Sequence, residues 1–90
     1  MKRRYPFAAD WVTEPGEHLR ETLEVLRVSL SEFARRTGYS TWYIERLLTG
    51  QARIRPLTAR RVALGTGVAA SLWINLETNY QTRRQRLARR

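Results

Sequence analysis

The sequence predicts an all-α fold of five helices, and three observations carry that expectation. Residues 30–49 read as two short helices hinged at Gly38. Elsewhere apolar residues recur three and four apart, the spacing of an amphipathic helix. No stretch shows the strict alternation of a convincing strand, and no internal repeat is visible.

Taken in order, residues 1–14 form an extended N-terminal segment, in which Pro6 limits helix formation while Phe7 and Trp11 are available to pack on a core. Pro15 and Gly16 break the chain. A first helix is predicted over 17–27, with Leu19, Leu23 and Leu26 on one face. Glu17 and Glu21 suit its N-terminal dipole and Arg27 its end. Helices two and three are predicted over 30–37 and 41–49. Ser29 and Glu32 have the spacing of a capping box, Ala34 is small where a second helix must cross, and Gly38 stands where a left-handed residue is needed. Ser40 caps the next helix, whose apolar positions are Ile44, Leu47 and Leu48, and Gly50 stops it. A small residue, a glycine four later, then apolar residues six and nine beyond it make the helix-turn-helix pattern.

Residues 51–55 form a short basic loop whose Ile54 turns inward. Pro56 opens a fourth helix to about Gly65, burying Ala59, Val62 and Ala63, with Gly65 and Gly67 bracketing its end. The last helix starts near Ala69 and carries Leu72, Trp73, Leu76 and Tyr80 within one face. The domain proper is thus 15–82, and 83–90 is a basic C-terminal extension of the last helix.

The formal charge of +9 is unevenly spread. Lys2, Arg3 and Arg4 at one end and Arg83, Arg84, Arg86, Arg89 and Arg90 at the other hold eight of the seventeen basic residues and no acidic one. Residues 5–82 carry nine basic and eight acidic residues, a net of only +1. Within them Glu17, Glu21 and Glu24 sit on the first helix, whereas Arg35, Arg36, Arg46, Arg53, Arg55, Arg60 and Arg61 lie from the second helix onward. Such polarity suits a domain presenting one face to a polyanion, although the arginine-rich ends also fit plain solvated tails. The absence of cysteine leaves no disulfide or thiolate site, and His18, the sole histidine, has no acidic or thiol companion at ligand spacing. An enzyme, a metal site and a cofactor are therefore not expected, and His18 reads as structural. No apolar run reaches the roughly 20 residues of a membrane span, and the basic N-terminus lacks the apolar segment of a signal peptide, which predicts a cytoplasmic protein.

A helix-turn-helix places its second helix in the major groove of double-stranded DNA. With Ile44 and Leu47 turned inward, Thr41, Trp42, Glu45 and Arg46 are the candidates for base contacts. Thr41 can hydrogen-bond or offer a methyl group, Trp42 can pack on a thymine methyl, Glu45 can accept from a cytosine amino group, and Arg46 can grip guanine bidentately. The competing reading of Trp42 and Tyr43 is that they complete the core or a subunit contact, and that of Arg46 is a surface ion pair. Ser29, Ser40, Tyr43, Arg53 and Arg55 are the candidates for phosphate contacts, helped by the amides that open the third helix. Trp73, Leu76 and Tyr80 offer excess apolar surface for a two-fold dimer, which would set two recognition helices about one DNA turn apart.

From Pro6 to about Arg86 the chain resembles the HigA/VapI group of antitoxins among the XRE (Cro and lambda-repressor type) helix-turn-helix proteins. The matching residues include Pro6, Phe7, Asp10, Trp11, Pro15, Gly16, Glu17, Ser29, Glu32, Phe33, Ala34, Gly38, Ser40, Ile44, Arg46, Leu47, Leu48 and Gly50. They continue through Ile54, Pro56, Ala59, Arg61 and Gly67 to Trp73, Asn75, Leu76, Asn79 and Tyr80, and this last cluster is the sharper signature. The resemblance implies a five-helix lambda-repressor-like domain, a homodimer, binding to the operator of its own operon and neutralisation of a cognate toxin. Some relatives with the same opening carry a further peptidase-like domain after the helix-turn-helix. The chain departs from the pattern at Leu30, where a DNA-reaching Gln is frequent, at Ala69 and Ala70, where a Ser-Pro cap is usual, and at Leu57 and Leu64, where polar residues are usual. Leu30, Leu57 and Leu64 motivate an alternative: a protein-interaction module of the same fold, toxin-binding or a plain phage-type regulator, with weak or nonspecific DNA binding.

Overall fold

Five helices follow one another in the computed structural model, which describes residues 14–89: α1 (Pro15–Leu26), α2 (Leu30–Thr37), α3 (Thr41–Leu48), α4 (Pro56–Thr66) and α5 (Ala70–Ala88). No strand occurs among the described residues. The expected packing of Phe7 and Trp11, the extended reading of the segment that holds them, and the charges of Lys2, Arg3, Arg4 and Arg90 lie outside those residues.

α1 begins two residues before the expected start. Pro15 occupies the first helical position, where its missing N–H costs nothing. Gly16 is buried within the helix, and a Cβ there would meet the main-chain oxygens of Leu47 and Leu48, the latter at 2.7 Å. The Pro-Gly pair is therefore not a break but the point where α1 seats against the end of α3. At its other end Leu19 and Leu23 are buried as expected, but Leu26 is 45% exposed. The chain turns away there through Arg27 in the left-handed conformation (φ 60°), and the Val28 N–H returns to the Leu23 carbonyl at 3.0 Å. This Schellman-type closure brings Val28 onto the core in place of Leu26.

Ser29 Oγ caps α2 by accepting from the Glu32 N–H at 3.1 Å. The Glu32 carboxylate does not return to complete a capping box. It binds Arg36 Nε at 3.0 Å and also Arg35. Gly38 ends the helix at φ 83°, its N–H on the Ala34 carbonyl, a conformation that favours glycine. Ser40 Oγ caps α3 in the same way through the Tyr43 N–H at 3.1 Å, and Ile44, Leu47 and Leu48 are buried beneath it. α4 buries Ala59 and Val62, whereas Ala63 is half-buried. Gly65 is not a terminus. It lies inside α4, where a Cβ would press on the Phe33 ring at 2.5 Å, and only Gly67 caps the end. α5 starts at Ala70, and Ala69 at its N-cap offers no side-chain hydrogen bond, as the missing Ser-Pro implies.

Leu19, Phe33, Ile44, Leu47, Val62 and Trp73 are the largest fully buried side chains, each contributing about 1.5–3 kcal/mol relative to exposure. Trp73 is 0% exposed, which removes it from the expected dimer surface and assigns it to the core. Its indole meets the half-buried His18 ring edge to face at 5.8 Å, and its Nε1 is buried without an acceptor among the described residues. Of its expected companions, Leu76 and Tyr80 are half-buried and Leu72 is exposed. No helix among the described residues is long and apolar enough to cross a membrane.

Candidate nucleic-acid interface

Burial of Ile44, Leu47 and Leu48 fixes which side of α3 faces outward. Thr41 and Glu45 are exposed and Trp42 is 66% exposed, so the core alternative for Trp42 fails. Arg46 is half-buried and sits one turn beyond Trp42, its guanidinium carbon 5.0 Å from the indole centroid. It donates from Nη1 to Gln51 Oε1 at 3.2 Å and from Nη2 to the Gln51 carbonyl at 3.4 Å. Arg46 is thus held by an aromatic face and an amide rather than by an acid. Neither the cation–π contact nor these neutral acceptors neutralise its positive charge.

Tyr43 is only half-buried, packs against the core, and meets the Tyr39 ring at a 60° tilt with 4.7 Å between centroids. Arg61 lies over the other partner, 5.4 Å from the Tyr39 ring, and donates to the Thr37 carbonyl at 2.9 Å. This cluster braces the turn between α2 and α3. Ser29 and Ser40 are both exposed, and each hydroxyl oxygen accepts from its own helix while its O–H remains a donor. The N–H groups of Thr41 and Trp42, in the first turn of α3, have no acceptor within the helix. The Ser40 hydroxyl, these amides and the positive dipole end lie together at the start of α3, the chemistry that binds an anion.

The 51–55 loop is built differently. Ile54 is buried, and its N–H donates to Glu77 Oε1 of α5 at 3.1 Å. Glu77 Oε2 accepts from Gln81 Nε2 at 2.6 Å, and Gln81 Oε1 accepts from Arg53 Nη2 at 3.3 Å. Arg53 and Arg55 remain exposed. Sequence reasoning missed this clamp. The one signal available was that Glu77 is the only acidic residue after Glu45, set in a basic half of the chain.

Arg35 and Arg36 are engaged internally. Both bind Glu32, and Arg36 Nη1 also donates to the Gly65 carbonyl at 3.0 Å, tying α2 to α4. The Arg36 hydrogen bond, with Arg35 beside it, holds the Glu32 carboxyl below its ordinary value of 4.5. Leu30, where related sequences often place a DNA-reaching Gln, packs half-buried against the core.

Two helices meeting at Gly38, the second capped and outward-facing, define a helix-turn-helix protein. The chain is 38% identical over 63 residues to YddM, an uncharacterised HTH-type transcriptional regulator of Escherichia coli K12, covering 70% of this chain and 67% of that relative. It belongs to the helix-turn-helix-type transcriptional regulators, a family of regulators rather than enzymes. Among solved structures, a Nostoc punctiforme protein described as an antidote protein of a plasmid maintenance system superposes with a TM-score of 0.78 at 26% identity, over 86% of this chain and 85% of that one. No protein-family model matches the sequence.

Proposed function

We propose that the protein is a HigA-type antitoxin and repressor of the XRE class: a homodimer that binds the operator of its own operon sequence-specifically and neutralises a cognate toxin. The observation that carries this reading is the outer face of α3, where Thr41, Trp42 and Glu45 are exposed and Arg46 is presented on Trp42. In this reading Thr41 and Trp42 meet base edges from the first turn, Arg46 reads guanine, and Glu45 accepts from cytosine. Ser29, Ser40, Tyr43, Arg53 and Arg55 grip phosphates. That the structurally similar Nostoc protein is described as an antidote of a plasmid maintenance system supports the toxin half of the proposal. Leu76 and Tyr80, with Trp73 now excluded, are the α5 residues left for a subunit contact.

The test is a gel shift on the DNA upstream of the gene, with Arg46→Ala. A bidentate guanine contact is worth about 1–3 kcal/mol, so binding to the upstream site falls about five- to 150-fold while binding to random DNA is retained. Equal loss on both would overturn base reading. Co-expression with the product of the adjacent reading frame tests the toxin half: relief of toxicity supports it, and no relief removes it.

One observation favours the alternative of a protein-interaction module. Leu57 and Leu64, two turns apart on α4, are 59% and 76% exposed. Wild-type protein that binds upstream and random DNA equally, with the same steep salt dependence, would favour that alternative.

A further inference from the structure

We propose that Arg84 of α5 is a further phosphate-contacting residue, extending the edge begun by Arg53 in the 51–55 loop onto the backbone of double-stranded DNA that flanks the α3 site. The proposal rests on the DNA-binding reading above. Residues 83–88 continue the helix: α5 stays helical through Ala88, so the backbone sets the side of α5 from which each arginine there departs. Glu77, Gln81 and Arg84 fall at i, i+4 and i+7, one face of the helix. That face is the one turned to the loop, since Glu77 takes the Ile54 N–H and Gln81 takes Arg53.

Arg84 and Arg53 line one cleft together with Gly50, just past the end of α3. Arg84 is held over the Tyr80 ring at 5.6 Å, an aromatic contact that does not itself neutralise its charge. Two carboxylates, Glu14 and Glu77, line the same cleft. The Ile54 N–H and Gln81 fix where Glu77 sits without neutralising it, so an incoming phosphate must be gripped by the two guanidiniums directly. Beyond Glu77 the sequence has no acid and five arginines, so the C-terminal end of α5, where Arg84 stands, is strongly basic. A phosphate seated beside Arg53 would find the next guanidinium at Arg84. Arg86, two residues on and about 200° around the helix, points away from this edge.

That opposition supplies the test. Arg84→Gln and Arg86→Gln each remove one exposed charge from the same helix. Affinity for a duplex of the upstream DNA is measured against salt concentration, alongside Arg53→Ala. Each lost phosphate contact lowers the slope of log K against log salt by about 0.9, or about three- to four-fold in salt sensitivity between 50 mM and 200 mM. R84Q and R53A are expected to show that drop, R86Q to keep the wild-type slope, and Arg84→Lys to retain the charge and the slope. Equal effects of R84Q and R86Q, or no effect of R84Q, overturn the proposal. If R53A lowers the slope in that case, the DNA-binding reading stands without Arg84; if wild-type protein does not bind the duplex, both fall. Helical content by circular dichroism confirms that the exposed substitutions leave α5 intact.

Discussion

α3 rests on three buried apolar side chains, Ile44, Leu47 and Leu48, whereas the loop that follows it buries Ile54 and is held otherwise by hydrogen bonds, to Arg46 at the end of α3 and to Glu77 and Gln81 of α5. The first support is non-directional and distributed over many contacts. The second is a small set of directional bonds, one of them reaching across 23 residues of sequence to a different helix. A base-reading helix gains from being rigid in register, because discrimination needs its side chains within hydrogen-bond reach of particular edges. A phosphate-gripping loop needs only charge in roughly the right place, and a polar clamp suffices for that. The two supports should fail differently, and that difference can be forced.

The largest effect is expected from the seat of α3. Gly16→Ala drives a methyl group into the main-chain oxygens of Leu47 and Leu48. Backbone cannot swing aside as a side chain can, so α1 must shift away from the end of α3. Overpacking of this kind costs about 1–3 kcal/mol. In a domain of this size that lowers Tm by about 4–8 °C per kcal/mol, read by thermal melting. A melting temperature equal to wild type would show that the α1–α3 junction gives more easily than its geometry implies.

The loop should yield more gently. Glu77→Ala removes the acceptor of the part-buried Ile54 N–H and frees Gln81 and Arg53, at an expected cost of about 1–2 kcal/mol. The informative measurement is amide hydrogen exchange. Ile54 should exchange about tenfold faster, since about 1.4 kcal/mol corresponds to that factor, while Ile44 and Leu47 keep their protection. Glu77→Gln retains a side-chain oxygen for Ile54 and should largely restore it. Uniform loss of protection in α3 and the loop alike would mean that the two supports are one cooperative unit.

The same contrast explains what could be read from the residues alone. α2 and α3 were legible because caps, a left-handed glycine and a 3.6-residue apolar period are local signals, and Ser29, Gly38, Ser40 and Ile44 all act within a few residues of themselves. The exposed candidates on α3 followed by subtraction once its buried face was known. The Pro15–Gly16 junction misled because its purpose is long-range: glycine there serves a close approach to Leu48, which looks like a break when only neighbours are considered. Gly65 misled for the same reason, its partner being Phe33. Trp73 read as surface because a single helix face does not say what covers it. The Glu77 clamp left almost no trace, since a lone carboxylate on a helix is usually just solvated.

The smallest expected effect concerns α2, which carries α3 through the turn at Gly38. Glu32 is bound by Arg36 and Arg35, and its carboxyl is held below the ordinary value of 4.5. The folded state therefore binds that proton less readily than the unfolded chain does. Stability from this group is present in full above the ordinary carboxyl value and is lost as pH falls through the lowered folded one. Because the pair is at the surface, water and salt screen it, and the contribution is small. Denaturant midpoints taken from neutral pH downward should show a slightly steeper acid limb for wild type than for Glu32→Gln, with the difference shrinking at high salt. Arg36 keeps its bond to the Gly65 carbonyl in that variant, so the α2–α4 tie should survive and the α3 amides should stay protected. Faster exchange in α3 on losing the carboxylate would mean that the ion pair, rather than the apolar seat, sets the rigidity of the reading helix.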